Sequence, residues 1–173
     1  MPQVFSGHGI QLEYPEDWLP HEQSSPDEFT LSINSPATSF WSVTLLFDRP
    51  SPDEVVESVL EALREEYTEI DVYDSDERLR DSPTVACDVD FVCHELIGSA
   101  FLRAVIAPQF TLLVVSQGAD FELEETQKQL DQITKSLIWE VADDEIESSE
   151  LAEFQELWGS SNPEDAGSTR DAE

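Results

Sequence analysis

The chain has 173 residues, enough for one compact domain and an appendage, and a domain of this size buries roughly 70% of its unfolded surface without needing staples. Against 39 acidic residues stand 8 basic ones, a formal charge of -31, which repels phosphate backbones and anionic lipid heads and so argues against nucleic-acid and membrane-surface roles. Two cysteines make no disulfide framework, and no run approaches the ~20 apolar residues of a membrane span.

The start, Met1-Pro2-Gln3-Val4-Phe5, has neither a basic stretch nor an apolar run, so a cytoplasmic location is expected. Val4 to Ser6 and Ile10 to Tyr14 read as short strands, and Gly7-His8-Gly9 between them suits a tight hairpin turn. Pro15 ends the second strand because it cannot donate a ladder hydrogen bond. Trp18 follows closely enough to fold its ring back over the end of the sheet. Residues 19–28 are polar, contain two prolines, and read as a loop.

Phe29 to Asn34 alternates, with Phe29, Leu31 and Ile33 on one face. After the break at Ser35-Pro36, Phe40 to Asp48 places Trp41, Val43, Leu45 and Phe47 on one face and Phe40 and Leu46 on the other, the pattern of an interior strand. Ser51-Pro52 then starts the clearest helix. Ser51 is an N-cap, Pro52 suits the first helical position, and Glu54 completes a capping box. Val55, Val56, Val59, Leu60, Leu63 and Tyr67 recur at helical spacing, and the helix should end near Tyr67.

Ile70 to Tyr73 is a short strand, followed by a charged connection over residues 74–83. Thr84 to His94 alternates most cleanly: Val85, Cys87, Val89, Phe91 and Cys93 face one way, and Asp88, Asp90 and His94 the other. Leu96 to Ala107 and Phe110 to Val115 are apolar on both faces and read as central strands joined at Pro108-Gln109. Asp120 can cap a second helix from about Phe121 to Leu137, with Leu123, Leu130, Ile133 and Leu137 as its buried stripe. Ile138 and Trp139 close the domain, residues 1–139.

Composition changes at residue 140. Twelve acidic residues beyond that point face a single basic one, Arg170, so residues 140–173 are expected to be an acidic, largely disordered tail. Within it, Leu151, Phe154, Leu157 and Trp158 form one stripe of a short amphipathic helix over residues 149–158. Such a helix either packs back on its own domain or enters a groove on a partner, with Trp158 and Phe154 as anchors.

The element order with Tyr14-Pro15-Glu16-Asp17-Trp18 at the end of the opening hairpin resembles the PsbP/Mog-like superfamily, over roughly residues 3–139. The resemblance implies an α+β domain built as a three-layer α/β/α sandwich around a mainly antiparallel sheet. Its branches include photosystem II extrinsic subunits, a Ran-binding transport factor, DcrB-type lipoproteins and Eag chaperones, which share contact with other proteins and no one activity. Only Tyr14, Pro15 and Trp18 carry over, and their role is structural.

The candidate chemistry is thin. Cys87 and Cys93 are six residues apart on one strand, on the order of 20 Å at ~3.3 Å per residue, too far for a disulfide and outside zinc-ligand spacing. They read as core thiols. Asp88, Asp90 and His94 spread over about the same span and cannot share one ion unaided. His8 and His21 have no neighbouring nucleophile. No catalytic, cofactor-binding or metal-binding residue is assigned.

Three readings follow. The first is a non-enzymatic interaction module, adaptor or chaperone-like, whose acidic surface meets a protein partner that is basic or carries an exposed hydrophobic segment. The second is a small-ligand-binding or hydrolytic protein with a carboxylate/histidine site in a deep pocket. The third is an acidic, salt-adapted domain with no dedicated partner.

Overall fold

The computed structural model describes residues 1–139. In chain order the elements are β1 (Gln3–Gly7), β2 (Ile10–Tyr14), β3 (Leu19–Ser24), β4 (Glu28–Asn34), β5 (Phe40–Leu46), α1 (Pro52–Glu66), β6 (Glu69–Asp74), β7 (Val85–Cys93), β8 (Leu96–Ile106), β9 (Thr111–Ala119), α2 (Asp120–Ser136) and β10 (Ile138–Trp139). The larger sheet has seven strands in the order β3-β4-β5-β9-β8-β7-β6, and the smaller has three, β1-β2-β10. All their pairings are antiparallel.

Local chemistry sets the hairpins and the first helix. His8 and Gly9 adopt φ values of 55° and 91°, both positive, as a two-residue hairpin turn of type I′ requires. At α1, the Ser51 hydroxyl accepts the Glu54 N–H at 3.2 Å and the Glu54 carboxylate accepts the Ser51 N–H at 3.4 Å. This is the reciprocal cap expected there. The Tyr67 N–H closes the other end on the Leu63 carbonyl.

The layers follow from the alternation. On β9, Leu112 and Val114 enter one core cluster and Leu113 enters the other, so this strand is buried on both faces. On one face, Val55, Val56, Leu60 and Leu63 of α1 pack on Cys87, Val89, Leu102 and Leu113. On the opposite face, α2 and the small sheet bring Leu130, Ile133, Ile10 and Leu12 against Trp41, Val43 and Val114. The expected α/β/α sandwich with an antiparallel sheet is the observed one.

The two covering layers are offset along the sheet. α1 lies over β6 to β9, whereas α2 packs on β2, β5, β8 and β9. Each covers one half of its own face. On the α1 side, β3 to β5 stay uncovered and carry half-buried Thr30, Ser32, Ser42 and Thr44. On the α2 side, β6 and the adjoining residues 88–92 of β7 and 97–99 of β8 stay uncovered, while Ala86 and Val105 farther along those strands are buried.

Four details depart from the sequence reading. Residues 19–28 are not all loop: β3 pairs with β4 from Leu19↔Asn34 to Ser24↔Phe29. All six of its side chains are exposed, so backbone pairing alone makes the strand and no apolar alternation announces it. Phe47 is 38% exposed and lies past the end of β5, where its N–H donates to the Asp27 carbonyl. His94 leaves the β7 face for the turn, with φ 51° there and 70° at Glu95. Asp120 does not cap α2; it is the first helical residue, and the cap position, Ala119, makes no side-chain cap bond. The Ala119 N–H donates to the Thr38 hydroxyl of the β4–β5 turn.

Candidate functional site

The uncovered patch on the α2 side lies on β6 and the adjoining stretches of β7 and β8, three strands in register. Across it run the rows Glu69-Val92-Ile97, Asp71-Asp90-Ser99 and Tyr73-Asp88-Phe101. Phe101 packs into the edge of the α2 core cluster. Beyond it the face opens: Tyr73 is 53% exposed and Ile97 55%. Strand alternation puts these side chains together, because every second residue of β6, β7 and β8 points the same way.

The carboxylates on this face differ in their partners. Asp88 accepts the Arg103 guanidinium at 2.9 Å, and Arg103 also donates to the Cys87 and Leu102 carbonyls. Asp90 accepts only a hydroxyl, that of Ser99 at 2.7 Å. Asp71 sits directly opposite Asp90, and among the described residues no cation pairs with either of them or with Glu69. Like charges directly opposite on neighbouring strands repel. The patch is therefore acidic, studded with exposed aromatic and aliphatic side chains, and short of counter-charge.

Elsewhere, Tyr14 and Pro15 line a groove of ≈ 630 Å³ between the end of β2 and α2. Its walls include Glu13, Glu16 and Asp17, all exposed, facing Gln129 and Gln132. The terminal ammonium of Met1 bonds Glu16 and holds its carboxyl below the usual range. No histidine, cysteine or serine joins these carboxylates in the groove wall. Trp18 lies behind this corner, 2% exposed in the core, with its backbone N–H donating to the Pro15 carbonyl at 3.1 Å.

The most enclosed carboxylate is Glu122, 9% exposed. Sequence reading missed it because its partners are remote: Ser35 donates at 3.0 Å and the Thr38 N–H at 2.7 Å, with the Thr38 hydroxyl also bonded. Burial pushes its pKa up, but the donors from Thr38, Ser35 and Ser39 outweigh burial and hold it below the ordinary carboxylate range. Its role is to pin the β4–β5 turn to the start of α2.

The three histidines lie apart. His8 stacks on Phe29 at 3.8 Å, His21 is exposed on β3 and His94 is in a turn. Cys87 and Cys93 are both free, and burial pushes the Cys87 thiol up, with Asp88 adding to the effect. Among the described residues no group of three His, Cys, Asp or Glu side chains is arranged to hold a metal ion, and no helix is long and apolar enough to cross a membrane. Leu151, Phe154, Leu157 and Trp158 lie outside the described residues.

No family model matches the sequence, and no curated protein matches it either. Solved structures do. CyanoP, the cyanobacterial PsbP of Synechocystis sp. PCC 6803, superimposes with a TM-score of 0.51 at 11% identity, covering 80% of this chain and 92% of that one. LpqN, involved in cell envelope biogenesis of Mycobacterium tuberculosis, gives 0.48 at 14% identity, covering 79% and 88%. A Bacteroides thetaiotaomicron protein gives 0.49 at 11% identity over 86% of this chain; the chain spans about half of that protein, 54%. The CyanoP likeness is one of fold, and it matches the expectation raised by the element order and the Tyr14-Pro15-x-x-Trp18 corner.

Proposed function

We propose that this chain of PsbP-like fold is a non-enzymatic protein-interaction module, adaptor or chaperone-like, that presents an acidic sheet face to a partner protein. The observation that carries this reading is the uncovered patch on β6 and the adjoining stretches of β7 and β8. There Tyr73 and Ile97 stand exposed beside Glu69, Asp71 and Asp90. Exposed aromatic and aliphatic groups supply contact area, and the surrounding negative field steers a basic partner and rejects acidic ones.

In this reading residues 1–139 are the folded unit and residues 140–173 an acidic appendage. Leu151, Phe154, Leu157 and Trp158 form a second contact point there. The two free thiols fit a reducing, cytoplasmic setting.

Photo-crosslinking in the native cell tests the proposal. A photoreactive residue in place of Tyr73 or Ile97 is expected to capture the same protein partner, and one in place of Thr44, on the opposite face, is not. Capture that is indifferent to position, or none at positions 73 and 97, overturns it.

A further inference from the structure

Resting on that reading, we infer that β6 is a docking edge that accepts an extended segment of a basic partner protein as an added strand, with basic and aliphatic side chains alternating along it. β6 is the terminal strand of the larger sheet, and five of its six residues are exposed. Its outer backbone edge faces no other strand among the described residues. The opposite terminal strand, β3, carries Pro20, which lacks an N–H and blunts an edge. β6, Glu-Ile-Asp-Val-Tyr-Asp, has no proline and is protected by charge alone.

The side chains of β6 specify what can pair with it. Glu69, Asp71 and Tyr73 point to the acidic half-face, whereas Ile70 and Val72 point to the α1 side. Ile70 packs against the α1 core cluster and Val72 is 38% exposed. A strand laid along β6 therefore meets Glu69, Asp71 and the Tyr73 ring on one face, and Ile70, Val72 and then Asp74 on the other. Directly opposite side chains on neighbouring strands lie ~4.5–5.5 Å apart at Cβ, so an arginine or lysine beside Asp71 supplies the counter-charge that the Asp71–Asp90 pair lacks. Main-chain hydrogen bonds give the affinity and the alternating side chains the selectivity.

The same chemistry disfavours this chain as its own occupant. A second copy pairing antiparallel edge to edge would set Asp71 opposite Asp71 in one register and Glu69 opposite Asp74 in the next. Residues 140–173 carry 12 acidic residues and one basic one, so they too would add repulsion on this face.

The test uses the full chain and two peptides of equal composition, one alternating arginine and valine and the other with the arginines and valines in separate blocks. A third peptide is the alternating one N-methylated at every second backbone nitrogen, made in both phases. Calorimetry gives affinities, and amide chemical shifts locate binding. The alternating peptide is expected to bind at least about tenfold tighter than the block isomer, which is ~1.4 kcal/mol, with shifts confined to β6 and its flanks. One N-methylation phase should abolish binding, and Asp71→Lys should weaken it about as much as scrambling does, with Asp71→Asn in between. Equal affinity for the two isomers means charge attraction only and overturns strand addition, as do shifts that map to β3. Crosslinks at positions 73 and 97 combined with equal isomer affinities would leave the interaction module standing and remove only the added strand. Discrimination between the isomers without those crosslinks would do the reverse.

Discussion

Trp18 and Glu122 are both enclosed, yet they differ in how they are held. Trp18 fills core volume between the β2 corner and the large sheet, and Trp18→Ala should cost about 3–5 kcal/mol through the cavity it leaves. Urea denaturation measures this; a loss under about 0.5 kcal/mol would mean the ring is not core. Glu122 is held by hydrogen bonds to its charged form, and Glu122→Ala, which strands the Ser35 and Thr38 donors, should cost about 2–3 kcal/mol near neutral pH. Because its folded pKa is depressed, that stabilisation is complete above the unfolded carboxylate pKa and lost as pH falls through the folded value. The gap between wild type and variant in denaturation midpoint should therefore close on acidification, and a gap constant with pH would contradict the assignment. Trp18 was legible because Pro15, three residues earlier, fixes the turn that carries it. Glu122 was not, because 84 residues separate it from Thr38 and nothing near it in the sequence announces a bond.

The same divide between near and far governs the elements. α1 was readable to within a residue because its cap is written in four consecutive positions, Ser51 to Glu54. Ser51→Ala should cost about 1 kcal/mol, seen as a lower midpoint in thermal or urea unfolding with the native fold retained. β3 was unreadable for the opposite reason. Its side chains are all exposed, and its existence depends on β4 offering a backbone edge. α2 starts one residue earlier than its periodicity suggests, at Asp120, and the Thr38 hydroxyl on a distant turn accepts the Ala119 N–H there. β10 escaped notice because two residues, Ile138 and Trp139, have no period; only pairing with Ile10 and Gln11 defines them. Of the candidate interface, Asp88 and Asp90 were legible as one strand face. The contributions of Asp71, Tyr73 and Ile97 depended on a register that alternation alone does not fix.

At the scale of the whole molecule, charge dominates. A formal -31 over 173 residues makes the folded state repel itself, and added salt screens that repulsion. The melting temperature of the intact chain should rise as sodium chloride is added from low ionic strength. Calorimetric melts across a salt series check this, and a flat or falling trend would show that the carboxylates are spaced widely enough not to strain the fold. A protein that fails to fold at low salt would instead favour adaptation to brine over partner steering.

The staggered placement of α1 and α2 has a mechanical consequence. The bare acidic panel is the reverse side of the same strands on which α1 rests, with Leu102 and Val89 pressed against that helix. A load applied to the panel meets α1 through one thickness of sheet and the α2 layer through Phe101 at the panel's margin. The Tyr67 ring, just past the end of that helix, stacks on Phe91 at 4.3 Å and so fastens α1 to the back of the panel.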